Sequence, residues 1–128
     1  MNILLDTHVF LWLNFKPYKC SQAARALCED PKNTIFLSIA SIWEMQIKYQ
    51  IGRLSLNISL QHLIESNQSA YHMQLLSIRK SHIFALQDLP AFHNDPFDRI
   101  IVSQAIQESF LLVTADKTMR KYAVNIFW

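Results

Sequence analysis

Hydrophobic and polar positions along this chain follow two rhythms. Short apolar-centred runs at Ile3–Leu5, Ile35–Leu37, Gln74–Ser77, Leu111–Val113 and Asn125–Phe127 have the length of strands. Between them, stretches near Thr7–Leu13, Ser21–Glu29, Ile39–Tyr49, Leu60–Asn67, Ser81–Leu86, Pro96–Gln107 and Lys117–Tyr122 read as helices, with polar residues on the intervening positions. Strands that alternate with helices predict a parallel sheet packed between helices, an α/β fold. No repeat, low-complexity tract or linker interrupts the alternation, so residues 1–128 read as a single domain.

Composition sharpens this picture mainly by exclusion. With 51% hydrophobic and 17% charged residues, the chain can bury a core and does not read as disordered. The formal charge of +2 is too mild to indicate nucleic acid by itself, although basic residues recur at Arg79-Lys80 and at Lys117, Arg120 and Lys121. Cys20 and Cys28 form no disulfide framework and no zinc spacing, and read as core thiols of a reducing compartment. The N-terminal run shows no basic leader, and Asp6 interrupts it long before the roughly 18 apolar residues of a membrane span. A cytoplasmic, non-membrane protein is expected. Gly52 is the only glycine, which excludes the glycine-rich phosphate loops of dinucleotide-binding and P-loop proteins.

The acids carry the candidate chemistry. Asp6 follows the first strand and Asp116 follows the fourth, so both belong at the carboxyl edge of the sheet, where open α/β sheets bind ligands. Glu44 shares a helical azimuth with Ala40, Ile47 and Ile51 and thus interrupts an apolar stripe. Asp98 lies in the first turn of the helix that opens at Pro96. Each acid also has a plain structural explanation: Asp6 and Asp116 as helix caps, Glu44 as the i,i+4 partner of Lys48, and Asp95 as the N-cap before Pro96. Jointly these explanations are strained. Two carboxylates about 5 Å apart repel by roughly 3 kcal/mol at an effective dielectric near 20, and four make several such pairs. A divalent cation held by oxygens, Mg²⁺ or Mn²⁺, relieves that repulsion and suits phosphodiester hydrolysis. The five histidines are scattered and read as structural, with only His93 near the acids.

At these residues the sequence resembles the PIN-domain ribonucleases, in particular VapC-like toxins of type II toxin–antitoxin pairs. The matching stretches are LLDTHVFLWL, SIASIWEMQIK from Ser38, HNDPFDRIIVSQA from His93, and LLVTAD ending at Asp116. The resemblance implies a PIN-like three-layer α/β/α sandwich with a four- or five-stranded parallel sheet. It implies a metal-dependent endoribonuclease in which Asp6 and Asp98 are the principal Mg²⁺ or Mn²⁺ ligands and Glu44 and Asp116 complete the catalytic acidic pocket. Thr7 and Thr114 would support the pocket through hydroxyl hydrogen bonds, and Asp95 through its cap. The implied partners are RNA as substrate, a small antitoxin, and a second copy of the chain in a homodimer. Asn94 stands where the motif more often has a basic residue, which weakens a phosphate contact there. Two rivals remain. An aspartyl-nucleophile phosphatase needs a second Asp two residues after the first, where this chain has His8; a non-catalytic PIN-like RNA- or protein-binding module has no reason to keep four repelling acids. The aromatics Trp12, Phe15, Trp43, Phe84, Phe92, Phe97 and Trp128 are a large set for one core, so some are expected at the surface.

Overall fold

A computed structural model describes all residues, Met1–Trp128. Five strands form one sheet: β1 (Asn2–Leu5), β2 (Thr34–Ser38), β3 (Gln74–Leu76), β4 (Leu111–Val113) and β5 (Ile126–Phe127). Their order is β3-β2-β1-β4-β5 and every pair is parallel. Six helices connect them: α1 (Thr7–Phe15), α2 (Gln22–Glu29), α3 (Ile39–Gln50), α4 (Leu60–Tyr71), α5 (Lys80–Phe84) and α6 (Pro96–Glu108). This is the expected α/β sandwich with the five-stranded form of its sheet.

Strand periodicity divides the core. Ile3 and Leu5 of β1 and Val113 of β4 enter one apolar cluster with Val9 and Phe10 of α1, Ala24 of α2, and Leu63 and Ile64 of α4. Leu4 and Leu112 point the other way, into a cluster with Ala40 of α3 and Ile100, Ile101 and Val102 of α6. The central strand is therefore apolar on both faces, as a buried parallel strand must be. Serine caps start three of the helices: the hydroxyls of Ser21, Ser38 and Ser59 accept amide hydrogens from Ala24, Ala40 and His62. Lacking glycine elsewhere, the chain ends α4 and α6 with His72 and Ser109 in the left-handed region, at φ 53° and 57°.

Several local expectations differ. The stretch Lys117–Tyr122 forms only a 3-10 turn at Met119–Lys121. Ser81–Leu86 divides into α5 and a 3-10 turn, Ala85–Asp88. Both are too short for the cooperative gain that sustains an α-helix, and tertiary contacts fix the tighter turn instead. Ile51 ends α3 as its C-cap and is exposed, so the apolar stripe through Glu44 stops at the half-buried Ile47. No helix is long and apolar enough to cross a membrane.

What matters for function is the reversal of strand order. From β1 the chain moves out to β2 and β3 on one side, then returns to place β4 and β5 on the other. The β1/β4 seam is thus the topological switch point, where helices leave in opposite directions and a crevice opens beyond the strand ends. Asp6 and Thr114 are the first residues beyond those two strands.

Candidate metal centre

Asp6 sits at the N-cap of α1 with extended backbone, φ −62° and ψ 147°, yet its side chain caps no amide. It turns toward β4 instead, where Oδ2 accepts the Thr114 hydroxyl at 2.7 Å. Thr114 Oγ1 in turn accepts the Asp116 amide at 3.0 Å, so one buried hydroxyl ties together the ends of β1 and β4. Asp6 Oδ1 is buried without a hydrogen-bond partner.

Glu44 reaches the crevice from α3. Its side chain is 3% exposed, and Lys48 Nζ lies 2.8 Å from Oε2, so burial and the i,i+4 pair hold together rather than as alternatives. Oε1, like Asp6 Oδ1, is buried and unpartnered. Two orphaned acceptors, each beside an engaged twin oxygen, are unusual in a folded protein.

The stretch DPFDR divides its labour. Asp95 caps α6, with Oδ1 accepting the amides of Phe97 at 2.8 Å and Asp98 at 3.2 Å. Pro96 occupies the first turn, where its missing N–H and fixed φ suit the helix start. Asp98 is buried one turn inside. Arg99 binds backward: its guanidinium donates to the carbonyls of Pro90 (2.8 Å), Leu89 (3.1 Å) and Leu86 (3.4 Å), pinning the preceding segment to α6.

His93, expected near the acids but as a structural residue, takes part in the group itself. Its Nε2 donates to Asp116 Oδ2 at 3.1 Å and lies 3.0 Å from Asp98 Oδ2. Its Nδ1 accepts the Asp95 amide at 3.2 Å, which leaves Nε2 as the nitrogen that donates, and its own amide donates to the Tyr122 hydroxyl at 2.8 Å. His93, Asp98 and Asp116 each bring a ligand atom within 4.8 Å of the others. The signal lay in the sequence as a His two residues before the capping Asp, but spacing alone carried no i,i+4 pair to mark it. Asp116 keeps part of its capping character, because Oδ1 accepts the Thr118 and Met119 amides.

The supporting threonines differ. Thr114 touches Asp6, whereas the Thr7 hydroxyl donates to Ser41 Oγ at 2.8 Å and so joins the first turns of α1 and α3 without reaching an acid. Below them, the Ser38 hydroxyl donates to the buried Gln104 Oε1, locking α3 to α6.

Electrostatics bind the four acids into one group. Desolvation raises the pKa of Asp6; Thr114 and His8 oppose this, while Asp116 and Glu44 add to it. Asp98 is pushed up to about 7, by desolvation first and then by Asp6, Asp95 and Glu44, against His93. Asp116 goes the other way: desolvation pushes it up, but the Thr118 and Met119 amides and His93 together outweigh that and lower it. A hard divalent cation fits such oxygen donors, and two sets are on offer here: the orphaned oxygens of Asp6 and Glu44, and Asp98 and Asp116, whose ligand atoms cluster with His93.

The sequence model of the PIN domain matches residues 3–125. The chain belongs to the PIN-domain family. This PIN domain is 29% identical over 121 residues to ribonuclease VapC22 of Mycobacterium tuberculosis (strain ATCC 25618 / H37Rv), spanning 94% of this chain and 91% of that protein. Its fold is similar to a chain in the structure of VapBC2 from Rickettsia felis bound to a DNA fragment from their promoter. There the TM-score is 0.73 at 19% identity, over 99% of this chain and 98% of that one. A chain of VapBC-1 from nontypeable Haemophilus influenzae matches with a TM-score of 0.62 at 17% identity, over 99% and 97% of the two chains. At such identities the structural likeness is one of fold.

Proposed function

We propose that this PIN domain is a Mg²⁺- or Mn²⁺-dependent endoribonuclease, the toxin of a toxin–antitoxin pair. The observation that carries the reading is the pair of buried, unpartnered oxygens, Asp6 Oδ1 and Glu44 Oε1, at the β1/β4 switch point, where burial and neighbouring carboxylates raise the pKa of Asp6 and Asp98. The name of the VapC22 relative supports RNA as substrate.

In this reading Asp6, Glu44, Asp98 and Asp116 hold the cation. When bound, Mg²⁺ or Mn²⁺ supplies positive charge for the oxygens of the scissile phosphate and lowers the pKa of an attacking water. The protein's own groups set the stage. Thr114 holds Oδ2 of Asp6 and Lys48 holds Oε2 of Glu44, so the twin oxygen of each stays available. The His93 Nε2–H, fixed as a donor by the Asp95 amide at Nδ1, holds Asp116 and Asp98 together from the α6 side. Asp95 acts through the helix cap.

Structural neighbours that include VapBC complexes support an antitoxin partner. A cavity of about 560 Å³ between α1, α2 and α4, lined by Leu5, Phe10, Leu13, Tyr71 and Met73, suits apolar side chains of such a segment; Asn33, Thr34 and His72 in its lining put it toward the amino end of the sheet, away from the acids. Exposed Ile83 and Phe84 on α5 support a homodimer contact. An RNA substrate is in keeping with a cytoplasmic activity. The deciding experiment incubates the purified chain with total RNA in Mg²⁺, in Mn²⁺ and in EDTA, beside Asp98→Asn. Cleavage only with metal and only by the wild type is expected; RNA bound but never cut would leave the non-catalytic module as the better reading.

A further inference from the structure

Trp43 precedes Glu44 on α3, and Phe97 precedes Asp98 on α6, so each acid's neighbour one peptide away, about 3.8 Å between Cα atoms, is aromatic. The two rings meet: their centroids are 5.2 Å apart and their planes nearly perpendicular, at 84°. The pair thus bridges the two helices that carry Glu44 and Asp98, on the rim of the acidic crevice. Trp43 is nonetheless 60% exposed, while Phe97 is half-buried against the α3/α6 cluster. In a perpendicular pair the edge of one ring meets the face of the other. Whichever ring supplies the edge, at least one face of the Trp43 indole is free of Phe97. Ile39, one turn earlier on α3 and also exposed, extends the apolar rim.

An indole face left open beside a phosphodiester-cutting site has a specific use. The acids repel the RNA backbone, and the nearby cations are largely committed: Lys48 to Glu44, Arg99 to the carbonyls of the preceding segment. Attraction from bases is the natural compensation, because every base has a π-face and stacking on an aromatic ring needs no positive charge. A base in a duplex already has both faces covered. We propose that Trp43, braced by Phe97, is a stacking platform for one unpaired nucleobase next to the cleaved phosphate. This rests on the ribonuclease reading and specifies how its substrate is held.

The test uses the full chain in an Asp98→Asn background, so that RNA stays intact, and a fluorescent pool of random-sequence single-stranded 20-mers. Replacing Trp43 with Leu keeps an apolar side chain but removes the ring, and should weaken binding about 5- to 150-fold, the 1–3 kcal/mol of one stacked base. Trp43→Phe should recover most of the affinity. The ratio should stay nearly constant between low and moderate salt, because stacking releases no counterions, and a matched RNA duplex should bind weakly to all three proteins. Indole emission should be quenched by RNA in the Trp43 protein and much less in Trp43→Phe, where only Trp12 and Trp128 remain. Equal affinity of the Trp43 and Trp43→Leu proteins overturns the proposal, as does equal binding of duplex and single strand. A Trp43→Leu chain that sediments as a monomer where the Trp43 protein is a dimer, with RNA affinity unchanged, assigns the ring to a copy–copy contact and also overturns it. Stacking that behaves as expected, beside an Asp98-containing chain that cuts no RNA in Mg²⁺ or Mn²⁺, overturns the ribonuclease reading and leaves the platform standing.

Discussion

Asp6 and Asp98 pay a desolvation penalty that Thr114 and His8, and His93, offset only in part, and this sets what their replacement does. Asp6→Asn keeps an oxygen for the Thr114 hydroxyl while removing a charge from the group, so it should stabilise the metal-free protein by about 1–3 kcal/mol, the scale of one close repulsion. Thermal melts in EDTA check this, and RNA cleavage should be lost in the same variant. A metal-free melting temperature below that of the wild type would refute the electrostatic argument. Asp95 should fail differently, because its Oδ1 serves two amides of α6. Asp95→Ala should lose about 0.5–2 kcal/mol in chemical denaturation, whereas Asp95→Asn and Asp95→Ser, which still cap, should recover stability and much of the activity. If both capping variants are fully folded but inactive, Asp95 contributes more to the site than a cap.

At the scale of elements, α6 is anchored at its start by Arg99 rather than by its own length. The guanidinium collects carbonyls from Leu86 to Pro90 and so fastens the segment that delivers His93 to Asp98 and Asp116. Arg99→Ala should lose about 1.5–3 kcal/mol, as for hydrogen bonds from a charged group. Amide hydrogen exchange should quicken from Leu86 to Asn94 while the amides of β1 and β4 keep their protection. Uniform exchange across the chain would mean that Arg99 holds the whole fold rather than this segment. The short 3-10 turns nearby have too few internal bonds to stand alone, which is why a fastening residue matters here.

For the molecule as a whole, the acid group should make metal-free stability depend on pH in an unusual direction. Asp6 and Asp98 both hold protons more tightly folded than unfolded, Asp98 near 7 against an ordinary 3.8. The folded chain therefore binds more protons between about pH 4 and 7, and its stability falls as pH rises through that window, by a few kcal/mol in all. Millimolar Mg²⁺ or Mn²⁺ should abolish much of this slope and raise the melting temperature at pH 7.5; at about 100 times the dissociation constant the gain is about 2.7 kcal/mol. Melting curves at several pH values, with EDTA and with metal, test both. Stability that rises from pH 4 to 7 in EDTA would contradict the raised pKa values.

The order of elements was legible in the sequence because it depends on local periodicity. Alternating apolar runs, helical stripes and a proline at the start of α6 each act within a few residues of themselves. The acids at strand ends were legible for the same reason: Asp6 follows its apolar run directly, and Asp116 follows its own after Thr114-Ala115. Tertiary structure decided what those acids touch. Whether Asp6 caps α1 or turns to Thr114 depends on β4, 108 residues away in sequence, lying beside β1. His93 and Arg99 gained their positions from long-range packing that no periodicity encodes, and Thr7 found Ser41 rather than an acid because α1 and α3 meet there. The 3-10 turns replaced expected helical turns because segments so short take their shape from their surroundings. Local sequence fixes which residues can form an element; only the assembled sheet fixes which lone pairs are left without a partner, and those are where the chemistry of this chain begins.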